Sequence, residues 1–206
     1  MRWAGSAGPE PYPCCGSTHA LVSRILDLAK THDIGIGDVE SIDVIPHARR
    51  MPHTDNPNSR TPLEAKFSIQ YCVACALHDR AATLDHFENR AENDPIIRAL
   101  LPRINAFGDP DMPADGVHQW GAEVAVHTQD ERRLASRIKN YETRGAGMAM
   151  MTREELWTKF SDCAARTLPR AAITPLFKKL VTVASMAAVT EMTTFLHYSG
   201  PRAIRP

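Results

Sequence analysis

The sequence predicts an α+β fold: helices laid on a short sheet, followed by a stretch that is helical only. Three observations carry this. Residues 39–45 alternate apolar and polar side chains, and residues 117–128 and 131–139 do so on either side of Gln129-Asp130, the pattern of a hairpin. Strong helical periodicity lies before the first of these strands, at residues 18–30, and between them, at residues 61–77. From residue 152 onward only helical patterns remain, and strands mixed with helices ahead of a helical tail give an α+β arrangement.

Residues 1–16 hold Gly5, Gly8, Pro9, Pro11, Pro13 and Gly16, and read as an extended or looped lead-in. Ser17 or Thr18 caps a helix running to about Lys30, with Leu21, Ile25 and Leu28 as its buried stripe. Gly35 and Gly37 mark the connection to the first strand, where Val39, Ile42 and Val44 face one way. Residues 46–58 form a loop rich in Pro, His, Asn and Arg.

That loop delivers the chain to its clearest helix, residues 61–77. Thr61 suits the N-cap, Pro62 the first helical position and Glu64 the reciprocal place in a capping box. Leu63, Phe67, Tyr71 and Ala74 recur at helical spacing and predict one buried face. Lys66 and Gln70 share a second face, and Ser68 and Tyr71 can meet on a third.

Residues 83–89 predict a short helix. Asp94-Pro95 starts another that ends near Leu101, and residues 102–107 predict a weak strand. A proline-containing loop at 109–116 leads to the hairpin, in which Val124 and Val126 alternate with Glu123 and His127. Residues 141–151 read as a linker. Thr152 and Glu155 make a second capping box, opening a helix that should turn Leu156, Trp157, Phe160 and Cys163 inward. Residues 171–181 and 185–196 predict two more helices, a set with a thin core of its own.

Composition narrows the function. The 206 residues are 43% hydrophobic and 23% charged, with Lys plus Arg equal to Asp plus Glu at 24 each. Such balance gives no electrostatic footprint for nucleic acid, although a local basic pocket for a small anion is compatible with it. Five cysteines, an odd count, fit a reducing compartment better than a disulfide framework. No apolar leader precedes residue 9, and the longest apolar stretch, residues 176–196, is interrupted by Lys178, Lys179 and Glu191, so neither a secretory signal nor a membrane span is expected.

Three constellations have chemical potential. Cys14, Cys15, Cys72 and Cys75 can be assembled on paper into a four-thiolate zinc site, but adjacent cysteines chelate one metal poorly, and a Cys-x-x-Cys inside a helix reads first as core filling, ahead of zinc or dithiol redox chemistry. His19 stands at a helix N-terminus, where free N–H groups and the helix dipole favour an anion and an imidazole can move a proton. The bland alternative is a packed histidine near a cap. His47 and His53 accompany Arg49, Arg50 and Arg60 in the loop before the central helix, either as a solvated loop or as an anion-facing rim.

Read as strings, Pro11-Tyr-Pro-Cys-Cys-Gly-Ser-Thr-His19, Leu63-Glu-Ala-Lys-Phe-Ser-Ile-Gln-Tyr-Cys-Val-Ala74 and Glu155-Leu-Trp-Thr-Lys-Phe-Ser-Asp-Cys-Ala-Ala165 occur in order. Over residues 9–197 the sequence resembles the C-terminal part of the MmgE/PrpD family, which includes 2-methylcitrate dehydratase, cis-aconitate decarboxylase and iminodisuccinate epimerase.

The resemblance implies a small α+β lid domain at residues 9–145. Residues 152–197 would be returning helices that normally pack on a large all-helical domain not contained in this sequence. It implies a cofactor-independent lyase or isomerase, without metal, acting on small di- or tricarboxylates by proton abstraction next to a carboxylate. A homodimer in the cytoplasm (or the mitochondrial matrix of a eukaryote) is the accompanying expectation, with no nucleic-acid or membrane partner.

Tyr71 aligns with a family active-site tyrosine, and His19 lies in the family's Thr-His segment beside the cleft; both are the catalytic candidates. Lys66 and Cys15 are the substrate-binding candidates, Cys15 standing where some members place a histidine. Glu10 departs from the family, many of whose members carry a carboxylate-binding lysine there. With that departure, and with other catalytic residues belonging to the helical domain, a non-catalytic fragment or interaction module is the alternative expectation.

Overall fold

Alternation along the strands decides which face of the sheet is covered. The computed structural model describes residues 10–88, 94–112, 121–138, 151–183, 186, 188 and 190–193, in two compact units, residues 1–151 and 152–206. In the first unit, β1 (Val39–Pro46) buries Val39, Ile42 and Val44. The irregular step from Val39 to Ile42 is a register shift between Val39 and Ser41. An extra residue there returns the next apolar side chains to the inner face.

β1 pairs in parallel with β2 (Ile104–Ala106), Ile42 opposite Ile104. On its other side it pairs antiparallel with β3 (Ala122–Thr128), Val44 opposite Val124. The hairpin partner β4 (Arg133–Ile138) closes the order β2-β1-β3-β4. Val124, Val126 and Ile138 complete the buried face.

Helix α1 (His19–His32) lies against β3, β4 and a second helix. Its Leu21, Ile25 and Leu28 are buried as their spacing predicts, each contributing roughly 1.5–3 kcal/mol over an exposed position. The chain then crosses from β1 to β2. Along the way it forms α2 (Met51–Thr54), α3 (Pro62–Phe67), α4 (Ile69–Asp79), α5 (Leu84–Glu88) and α6 (Pro95–Leu100). A long helical connection is what a parallel neighbour requires. Helix α4 is buried from Ile69 to Leu77 and packs on α1. Gly108, just after β2, is required for packing: a Cβ there would meet the Ala48 Cα at 2.8 Å.

The expected single helix over residues 61–77 is two helices. The capping box at Thr61 forms as predicted, the Glu64 N–H donating to the Thr61 hydroxyl at 3.2 Å. The backbone leaves helical geometry at Ser68 (φ −91°, ψ 115°). Ser68 then caps α4: its Oγ accepts the Tyr71 N–H at 3.0 Å while its hydroxyl donates to the Asn56 carbonyl at 2.7 Å. The break turns the α3 side chains away from the face they would share with α4. Leu63 and Phe67, predicted to be buried, are 67% and 40% exposed.

The second unit, taken by itself, holds α7 (Arg153–Ala164), α8 (Arg170–Leu180) and α9 (Thr190–Thr193). Thr152 and Glu155 form the predicted capping box. Trp157 and Phe160 of α7 meet Phe177 of α8, at ring separations of 5.1 and 5.3 Å. Cys163, predicted to point inward, is exposed; the next residue, Ala164, takes the buried position. The helix expected at 185–196 falls mostly outside the described residues, as does most of the linker at 141–151.

Candidate active site

The site grows from the way the chain enters α1. Residues 11–14 form a run of bends with Pro11 and Pro13 in it, and the Cys15 N–H donates to the Lys66 carbonyl at 2.9 Å, pinning the approach to the end of α3. A 3-10 turn over Gly16–Thr18 follows and runs directly into α1. The Thr18 hydroxyl donates to the Cys15 carbonyl at 2.8 Å and lies 3.2 Å from the Cys14 sulfur. His19, the first helical residue, donates through Nε2 to the Cys14 carbonyl at 3.1 Å. Its ring stands edge-on to Tyr12, with centroids 5.4 Å apart.

These contacts build a buried thiol–imidazole group. The Cys14 thiol is lowered from its ordinary 9.0 to about 5, chiefly by a hydrogen bond from the Cys72 side chain. Burial opposes the shift, and the His19 side chain and its charge add to it. The Cys72 thiol moves the other way, well above its ordinary value, because burial and the neighbouring Cys14 both disfavour its ionised form. His19 is raised: burial pushes it down, but the hydrogen bonds and charge of Cys14 outweigh burial, and Glu10 helps. Both shifts favour a thiolate on Cys14 paired with a proton on His19, while burial opposes each charge.

The segment after β1 straps this region. His53 Nε2 and Ser17 Oγ lie 3.1 Å apart, tying the strap to the start of α1. Asp55 accepts from Gln70 at 2.7 Å, tying it to α4. Arg50 sits close enough to Cys15 to feel its charge; partial burial first, and Arg49 second, pull its pKa down. Of the cationic loop residues noted in the sequence, Arg49, Arg50 and His53 thus share this strap. His47 is buried elsewhere on it, accepting the Arg49 N–H through Nδ1 at 3.0 Å.

Cys15 and Lys66 meet through their backbones, and Cys15 adjoins the Cys14–His19 group. Tyr71 is placed differently. It is fully buried, its ring packs on Phe87, and its hydroxyl donates to the His86 carbonyl at 2.6 Å. His86 is itself fixed, accepting from the Thr83 N–H at 2.9 Å and lying 2.8 Å from an Asp79 oxygen. Among the described residues, no group of three or more His, Cys, Asp or Glu side chains is placed to hold a metal ion.

Compared with protein-family models, residues 12–179 match the MmgE/PrpD C-terminal domain. The chain belongs to the MmgE/PrpD family. No curated protein matches it. The MmgE/PrpD match takes in His19, Cys15, Lys66 and Tyr71 and leaves Glu10 two residues outside it. Among the described residues no helix is long and apolar enough to cross a membrane.

Sequence reading passed over two members of the group. It ranks core filling above zinc or dithiol redox chemistry for Cys14 and Cys72, and does not place either beside His19. The one available signal was local: Cys14 and Thr18 are four residues apart, as a cap side chain and its partner often are.

Proposed function

We propose that this chain is the C-terminal part of a cofactor-independent lyase or isomerase. It acts on small di- or tricarboxylates by abstracting a proton next to a carboxylate, in the manner of 2-methylcitrate dehydratase. The observation that carries the reading is His19: a buried imidazole at the N-terminus of α1, its pKa raised by Cys14 against the effect of burial, within the residues that match the family.

A carbanion next to a carboxylate spreads its charge onto oxygen, so fixed positive charge lowers the barrier to forming it. His19 supplies such charge and a transferable proton. The N-terminus of α1, with Arg50 and Lys66 at its edge, favours the substrate's carboxylates. Loss of water, loss of CO2 or return of the proton then completes dehydration, decarboxylation or epimerisation. The Tyr71 hydroxyl is turned to the His86 carbonyl, so a proton-relay role for Tyr71 requires that bond to open when substrate binds. A homodimeric assembly, completion of the site by a helical domain, and a cytoplasmic or mitochondrial-matrix setting belong to the same proposal.

Glu10 favours a second reading, a non-catalytic interaction module. A carboxylate stands where many relatives place a lysine, and its Oε1 would lie 3.2 Å from a Cβ on Gly16, at the turn leading into α1. An internal carboxylate there competes with an external one.

The two readings separate in one experiment. The purified chain is incubated in deuterated water with 2-methylcitrate, cis-aconitate or iminodisuccinate, alone and with the separately expressed helical domain of a relative. Exchange next to a carboxylate, followed by NMR, supports the enzyme. Absence of exchange and turnover in both states, with the chain folded, favours the interaction module.

A further inference from the structure

We propose that Cys14 and Cys72 are a reversible redox pair that closes to a disulfide when the protein meets a hydroperoxide. The pairing concerns the folded chain itself and stands independently of the carboxylate reading.

The geometry is specific. Cys14 lies at the end of the bent approach to α1, which the Cys15 to Lys66 backbone hydrogen bond holds against the α3–α4 junction. Cys72 projects from the first turns of α4, its thiol also 3.6 Å from the Ala65 carbonyl. The Thr18 hydroxyl lies 3.2 Å from the Cys14 sulfur, and the Cys14 and Cys72 side chains each act on the other's ionisation, which places the two sulfurs side by side where the approach to α1 meets residues 65–66. All five cysteines are free, so neither sulfur of the pair is committed to another bridge.

Burial assigns the order of events. Cys14 keeps 8% of its surface exposed and Cys72 none, so a small oxidant reaches Cys14 first. Cys14 also has the thiolate character that oxidation selects. The Cys14 thiolate attacks the outer oxygen of the hydroperoxide and breaks the O–O bond. The departing oxygen takes a proton, available from His19, and leaves as water or an alcohol, with Cys14 now a sulfenic acid. The Cys72 sulfur then attacks the Cys14 sulfur. An S–S bond forms, the S–O bond breaks, and the expelled hydroxide takes the Cys72 proton and leaves as water. Two electrons pass from the two sulfurs to the peroxide, and a thiol reductant reverses the change.

The bond would cross-link the approach to α1 with α4. It would also remove the thiolate that holds the proton on His19, so the redox state of the pair sets the charge of the imidazole.

The test uses the intact chain treated with hydrogen peroxide, then alkylated, cleaved with trypsin and analysed by mass spectrometry. Trypsin leaves Cys14 and Cys15 together before Arg24, and Cys72 and Cys75 together between Lys66 and Arg80. A Cys15→Ser/Cys75→Ser variant is therefore treated in parallel. The expected result is a dithiothreitol-sensitive link between the two peptides in both proteins, with a higher melting temperature for the oxidised form. In Cys72→Ala, which cannot resolve the sulfenic acid, a dimedone adduct is expected at Cys14. A link lost in the Cys15→Ser/Cys75→Ser variant, oxidation confined to Cys163, or a folded protein that forms no link would each overturn the proposal.

Discussion

The Tyr71 hydroxyl donates to the His86 carbonyl at 2.6 Å, joining the first turn of α4 to α5. Both ends are buried, and Phe87 packs on the tyrosine ring. Tyr71→Phe keeps the ring and leaves the carbonyl without this donor. The expected cost is about 1–3 kcal/mol, the usual range for a stranded buried acceptor, read from urea denaturation. A proton-relay role would add a fall in kcat under conditions where the variant remains folded. A variant that loses stability but keeps its exchange rate leaves Tyr71 a structural residue.

Ser68 is both the end of α3 and the cap of α4. Ser68→Ala removes the acceptor for the Tyr71 N–H and the donor to the Asn56 carbonyl together. A cap loss alone costs roughly 0.5–2 kcal/mol, and the second bond places this variant at the upper end. Thr152→Ala, an exposed capping-box residue with its own helix, should cost less, nearer 1 kcal/mol. Equal losses in the two variants would mean that the Asn56 contact contributes nothing.

Cys14 couples stability to acidity. Its thiol is lowered from 9.0 to about 5, so the folded protein keeps a thiolate over a range in which the unfolded chain binds a proton. The resulting stabilisation is complete above pH 9, declines as pH falls, and is gone below about pH 5. His19 is shifted upward, so its own contribution is lost as pH rises from its ordinary 6.5 through its folded value. Because Cys14 supports that upward shift, the His19 contribution persists below 6.5 only while the thiolate does, and fades as pH falls towards about 5. Melting curves of wild type and Cys14→Ser should differ at neutral pH and converge below pH 5. A constant gap across that range would mean that Cys14 is protonated throughout.

Where sequence reading succeeded, the signal was local. The capping boxes at Thr61 and Thr152 and the Leu21–Ile25–Leu28 stripe specify helices within a few residues, and all form. Alternation around Val124 and Val126 specified the hairpin in the same way. The break at Ser68 was hidden because the helical period of apolar residues runs through it; what ends the helix is a hydrogen bond to Asn56, twelve residues upstream. The same limit hid the Cys14–Cys72 contact, which only the packing of the α1 approach on α4 creates. The burial of Tyr71 follows from its helical spacing with Ala74, but its bond to the His86 carbonyl could not be read, since a buried tyrosine hydroxyl looks the same in sequence whether it faces a cleft or a carbonyl fifteen residues on.

Glu10 offers a final check on the electrostatics around His19. Its carboxylate helps to hold a proton on His19, but less than Cys14 does. Glu10→Gln should therefore lower the His19 titration midpoint, followed by imidazole proton NMR, by less than Cys14→Ser lowers it. Glu10→Lys should lower it further than Glu10→Gln, because a like charge then faces the imidazolium. On the carboxylate-lyase reading, the lysine also restores a cation at the family's binding position. KM for a tricarboxylate should then fall, by roughly tenfold for about 1.4 kcal/mol of added charge pairing. A lower midpoint without any change in KM would confirm the placement of Glu10 beside His19 and remove it from the substrate's path.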